Sequence, residues 1–148
     1  MAGSLEFIKS ASGSTVSSLS VTDCFSADYD IYQVTVTTLQ TSTSANIDVR
    51  FIDTGGVVST STYDEAILIL PSNTGFSTIK NTGQTSIGGI SFGNGASTGA
   101  SINMMVFNPN DSSLFTYLID ESNAWTGVLQ GYKGIGVEKT AQTITGIN

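Results

Sequence analysis

Apolar and polar residues alternate along much of the chain, most strictly in Asp28-Tyr-Asp-Ile-Tyr-Gln-Val-Thr-Val-Thr-Thr38. Tyr32, Val34 and Val36 fall on one side of an extended backbone there, and Gln33, Thr35 and Thr37 on the other, which is the period of a strand with one buried face. Ala45-Asn-Ile-Asp-Val-Arg-Phe-Ile-Asp53 repeats the arrangement, with Ile47, Val49 and Phe51 set against Asp48 and Arg50. Only Gln40–Ser44 separates the two runs, so the spacing predicts that they pair as a hairpin.

Upstream, Leu5–Lys9 reads as a short strand, Ala11–Ser14 as a turn, and Thr15–Thr22 as a strand whose imperfect alternation suits a sheet edge. Downstream, Thr54–Gly56 turns the chain into a short strand at Val57–Thr62. Tyr63–Leu70 fits either two helical turns or a buried strand, with Pro71 disfavouring helix at its end. Pro71–Gly83 reads as a polar surface loop. Thr85–Phe92 is a strand interrupted by Gly88-Gly89, a pair that marks a bulge or a close backbone approach, and Gly93-Asn-Gly95 is a turn that Ala96–Ala100 extends. Ser101–Phe107, the turn Asn108–Asp111 and Leu114–Ile119 make the clearest antiparallel hairpin. Asp120–Thr126 reads as a loop bearing the single tryptophan, Val128–Tyr132 leads into Lys133–Glu138, and Gln142–Ile147 ends the series. About ten strand candidates, with turn signals roughly every eight to twelve residues, predict an all-β fold: one antiparallel β-sandwich domain, jelly-roll-like, over residues 1–148.

Composition sharpens this picture. Only 11% of the 148 residues are charged, whereas Ser, Thr and Gly abound, a mixture poor for helices and ordinary for short strands joined by tight turns. A hydrophobic fraction of 39% supplies enough apolar surface to offset chain entropy. Five basic against twelve acidic residues leave a net charge of −7, which repels nucleic-acid phosphates. Cys24 is the only cysteine, so no internal disulfide can form; it reads as a small core residue in a chain suited to a reducing cytoplasm. Met1–Lys9 lacks a basic-then-apolar leader and no apolar run reaches membrane-spanning length, so neither secretion nor a membrane partner is expected. Asn110-Asp-Ser112 matches a glycosylation sequon, which without a leader is a chance match.

The candidate chemistry is sparse. With no histidine and one cysteine, Ser-His-Asp and Cys-His constellations and the usual zinc sites are excluded. Carboxylate pairs remain: Asp28 with Asp30, Asp64 with Glu65, Asp120 with Glu121. Neighbouring side chains on a strand point to opposite faces, so these pairs read as solvated turn carboxylates rather than as the acid and base of a glycosidase. Asp28-Tyr-Asp30 has the spacing of two calcium ligands but lacks the glycine and bidentate glutamate of a binding loop. Gly93-Asn-Gly95 precedes neither a helix nor a suitably spaced lysine, so it is no phosphate cradle. Tyr117, Trp125 and Tyr132 could form an aromatic platform for sugar rings, but aromatic residues in this number are also what a sandwich core requires. No cofactor is implied.

Gly3-Ser-Leu-Glu-Phe-Ile-Lys9, Tyr29-Asp-Ile-Tyr32, Val49-Arg-Phe-Ile-Asp53 and Ser61-Thr-Tyr-Asp64 together resemble small β-sandwich virion proteins of tailed bacteriophages, especially those of phages from marine and cyanobacterial hosts. The resemblance covers most of the chain through short motifs and carries no catalytic residue with it. It implies a non-enzymatic virion structural protein, assembled in the host cytoplasm and displayed on the particle: a capsid decoration protein beside the major capsid protein, or alternatively a tail-fibre head or a receptor- or carbohydrate-binding module. Similar chains run past Thr143–Ile147 into one more hairpin, so a neighbouring subunit could supply a further strand here. Because strands are expected from Leu5 onward, with no stalk before them, decoration is the expected role.

Thr15–Thr22 and Thr143–Ile147 carry no Lys, Pro or Glu to block edge pairing, so both are expected to be open edges. Closed rings cover such edges, and a homotrimer is the corresponding expectation, with Ile135, Val137, Ile144 and Ile147 between subunits.

Overall fold

The computed structural model describes residues 5–43, 45–92 and 99–148, and the Gly93–Gly95 turn expected from the sequence lies outside them. In chain order the strands are β1 (Ile31–Leu39), β2 (Ala45–Val49), β3 (Phe51–Asp53), β4 (Gly56–Val57), β5 (Tyr63–Pro71), β6 (Ser77–Gln84), β7 (Ile87–Phe92), β8 (Ala100–Phe107), β9 (Thr116–Trp125), β10 (Leu129–Glu138) and β11 (Ile144–Ile147). All pairings are antiparallel. The fold is the all-β sandwich that the alternation predicts. One layer is a six-stranded sheet in the order β1-β8-β9-β10-β5-β6; the other is made from a three-stranded sheet, β11-β3-β4, and the ribbon β2-β7.

The period-two pattern decides which side chains enter the core. On β9 Thr116, Leu118, Asp120, Ser122 and Ala124 are buried while Tyr117, Ile119, Glu121, Asn123 and Trp125 are exposed. Between the layers Phe25, Tyr32, Phe51, Tyr63, Ile102, Val106, Leu118 and Ile144 belong to one apolar cluster. Tyr63 also joins the layers by hydrogen bonds, donating from its hydroxyl to the Val58 carbonyl at 3.0 Å and accepting from the Phe51 amide at 3.0 Å. Burial, the larger cause, pushes its phenol up to about 12, so it stays neutral and keeps its proton for that bond.

Several expectations hold. Ser101–Phe107 and the Thr116–Ile119 part of Leu114–Ile119 form the β8–β9 hairpin, with Phe107 opposite Tyr117, and Tyr63–Leu70, open between helix and strand in the sequence, lies in a strand. The glycine pair in β7 sits at an irregularity of register: Ile47 faces Ile90 while Val49 faces Ile87, so β7 carries an extra residue. A Cβ on Gly88 would lie 2.6 Å from Asp48 Oδ1, so the close approach is real too.

Others are corrected. β1 and β2 do not form a hairpin. β1 pairs with β8, and β2 pairs with β7 in the opposite layer. Leu5–Lys9 and Thr15–Thr22 are not strands; only Val21 makes an isolated bridge, to Ile147. Ser77–Gln84, which but for Gln84 falls in the Pro71–Gly83 segment expected to be a loop, is the edge strand β6. β9 runs through the expected Asp120–Thr126 loop to Trp125.

Candidate functional site

The outer face of the six-stranded sheet is built from the odd-numbered residues of β9 and their partners. The register places Ile31, Phe107, Tyr117 and Val137 in one row across β1, β8, β9 and β10. A second row runs Gln33, Met105, Ile119, Ile135, Ala66. Ile31, Tyr117, Ile119 and Ile135 are between 42% and 58% exposed. The next row is polar: Thr35, Asn103, Glu121 and Lys133 line a shallow groove with Asn123 and Gly131. Asn103 Oδ1 accepts from Gln33 Nε2 at 2.7 Å, Asn123 Nδ2 donates to Ser101 Oγ at 3.1 Å, and Lys133 Nζ meets Glu121 Oε1 at 2.7 Å. That ion pair holds the Glu121 carboxyl below its ordinary value and the Lys133 amine above it, but both groups are exposed and the pair adds little stability.

The four expected interface residues divide. Ile135 is exposed and Val137 half-buried, both on this face. Ile144 and Ile147 are 0% and 6% exposed, spent inside the subunit's own core. Nor is Thr143–Ile147 an open edge. β11 pairs with β3 on one side, and on the other Val21 and Ile147 exchange amide bonds of 2.8 and 3.0 Å. A threefold contact through those two isoleucines would require opening the subunit. The aromatic trio also divides: Tyr117 and Trp125 are exposed on β9, whereas Tyr132 is 3% exposed on the inner face, its hydroxyl donating to Gln130 Oε1. Eight residues of strand separate Tyr117 from Trp125, about 27 Å, so the three make no single platform.

Behind this face lies a feature that adjacent-residue reasoning missed. Asp64 and Glu65 point to opposite faces, as do Asp120 and Glu121, but Glu65 and Asp120 are both buried on the inner side, from β5 and β9, flanking β10. Glu65 Oε1 accepts from Asn81 Nδ2 at 2.7 Å and its Oε2 from the Gly88 amide at 2.5 Å, so its charge is hydrogen-bonded to β6 and β7. Asp120 sits over Gly134, where a Cβ would come within 2.0 Å of its Oδ2. Its Oδ1 has no hydrogen-bond partner among the described residues, and the same holds for Ser122 Oγ and Thr116 Oγ1. Burial first, then the charges of Glu65 and Glu121, pushes the Asp120 carboxyl up to about 6. Fully buried Glu138 accepts from the Thr140 amide and from Gln142 Nε2, tying down the turn into β11. These three are not solvated turn carboxylates. The sequence signal was Gly134-x-Gly136: alternate glycines on the inward side of a strand leave room for a neighbour's side chain. Among the described residues no group of three or more His, Cys, Asp and Glu is placed to hold a metal ion.

Cys24 is half-buried, its thiol 3.3 Å from the Val21 carbonyl, and burial raises its pKa. The sequon Asn110 turns its amide inward, toward the carbonyls of Phe25 at 3.4 Å and Ile144 at 3.3 Å. No helix is long and apolar enough to cross a membrane among the described residues. Comparison with protein-family models, with curated proteins and with solved structures finds no match.

Proposed function

We propose that the chain is a non-enzymatic structural protein of a tailed-bacteriophage particle, a capsid decoration protein seated on the outer capsid surface against the major capsid protein. The observation that carries this reading is the segment 5–20, which forms no strand yet exposes Leu5 at 86% and Phe7 at 79%, with Val16 and Leu19 also outside. It is tethered to its own subunit through Lys9 Nζ to the Thr22 carbonyl at 2.6 Å and the Tyr29 hydroxyl to Glu6 Oε2 at 2.5 Å. An arm without strand pairing and with bare apolar side chains gains free energy by lying on a neighbouring protein. A lattice of subunits offers such a neighbour at every site. The test uses phage particles carrying the protein, probed with an antibody to the exposed Ser72–Phe76 turn. Signal spread over the head supports decoration; signal confined to the tail sinks it. Replacing Leu5 and Phe7 together by Asp is expected to leave the sandwich folded and to strip the protein from the head.

A second reading, a receptor- or carbohydrate-binding module, draws on Trp125. Half exposed, it lies two residues beyond Asn123 on the same face, at the end of the polar groove. Quenching of its fluorescence on titration with oligosaccharides would favour that reading.

A further inference from the structure

We infer that the outer face of the six-stranded sheet is a self-complementary contact, covered by the same face of a second copy of this chain across a twofold axis. The exposed apolar side chains there are not scattered. Ile31, Tyr117, Ile119 and Ile135 sit on adjacent strands in register, with Phe107 and Val137 completing a continuous band. The inner face of the sheet already has its covering layer, whereas among the described strands none packs on the outer one. A band of this kind on one side of a sheet is what a partner sheet buries in face-to-face packing.

Charge identifies the partner. The face carries Lys80, Lys133 and Lys139 against Asp64 and Glu121, three positive groups to two negative, in a chain whose net charge is −7. The charged groups elsewhere on the surface are Lys9 and Arg50 against Glu6, Asp23, Asp28, Asp30, Asp48, Asp53 and Asp111, so contact between two copies through the rest of the surface gathers negative charge. Here the local balance is +1, so two copies meet with little repulsion. Both signs are present in one short polar row, and a twofold axis can set Lys133 of each copy toward Glu121 of the other, as an isologous contact requires.

The area suffices. Five strands, β1 to β5 through β8, β9 and β10, span about 24 Å across, and the ten residues of β9, the longest with β10, about 34 Å along, so the whole outer face, apolar band and polar row together, reaches at most on the order of 800 Å² per copy. A specific, stable interface takes about that much from each partner. The inference stands apart from the virion reading, because it concerns the isolated chain and leaves the arm free to meet the capsid.

Sedimentation equilibrium of the purified full chain tests it. The expected mass at tens of micromolar is twice the 15.4 kDa of one chain. Ile135→Asp and, separately, Ile119→Asp alter exposed side chains on this face and are expected to weaken association at least tenfold while leaving the circular dichroism spectrum unchanged. Val57→Asp, exposed in the other layer, is expected to leave the mass alone. A monomer at these concentrations, a three-subunit mass, or a dimer indifferent to both isoleucine variants would overturn the inference.

Discussion

Asp120 has an ionisable side chain shut between sheets with one oxygen unanswered. Its pKa is about 6 in the folded protein against 3.8 for an ordinary aspartate, so the native state holds the proton more tightly than the unfolded chain does. Well below pH 3.8 both states are protonated and Asp120 costs nothing. Stability then falls as pH rises from 3.8 to about 6 and levels off above that, once the carboxyl has ionised in place, with an accumulated loss of about 3 kcal/mol. Asp120→Asn keeps the shape and removes the ionisation. The urea midpoint of this variant is expected to exceed that of the parent at pH 7.5 and to converge on it only below the ordinary aspartate value of 3.8. A parent protein whose midpoint is no higher below pH 3.8 than at pH 7.5, relative to the variant's, would refute this account.

At the scale of elements, the join between the arm and the sandwich depends on Gly146. A Cβ there would lie 2.5 Å from the Val21 carbonyl and 3.0 Å from Thr22 Cα, both backbone atoms with no side chain to swing aside. Gly146→Ala is expected to break the Val21–Ile147 bridge, cost about 1–3 kcal/mol through the amides it strands, and raise hydrogen exchange at Val21, Cys24 and Phe25. The same elements show what alternation can and cannot reveal. It identifies the β8–β9 hairpin, where a short connection also points to the partner, but at Tyr63–Leu70 it leaves helix and strand open, and the structure decides for the strand. It failed for β1, because periodicity tells which side chains share a face but not which distant strand lies alongside. Ser77–Gly83 has the sequence of a loop because an edge strand needs few apolar residues. The second half of β9 was read as loop because Asp120 and Ser122 are polar residues in core positions. Part of the outer face was legible: Tyr117 and Ile119 alternate with Leu118, an apolar residue on each side of one strand, and Ile135 was singled out directly.

For the whole molecule, the strand order β1-β8-β9-β10-β5-β6 sets an order of events during folding. The meander β8-β9-β10 and the hairpin β5–β6 join neighbours in sequence, and such local contacts lose little chain entropy. Docking β1 against β8 instead closes a loop of roughly sixty residues. The meander should therefore be structured in the transition state, with β1 arriving late. Leu118→Ala is expected to slow refolding, whereas Val34→Ala on β1 should mainly hasten unfolding; chevron plots of both variants check this, and a Val34→Ala effect confined to the refolding limb would refute it. The strand whose alternation is strictest in the sequence is then the last to be secured and the first to be released. While β1 is away, β8 presents a bare edge lined with Ile102, Met104 and Val106, and this brief exposure is where newly made chains would stick to one another.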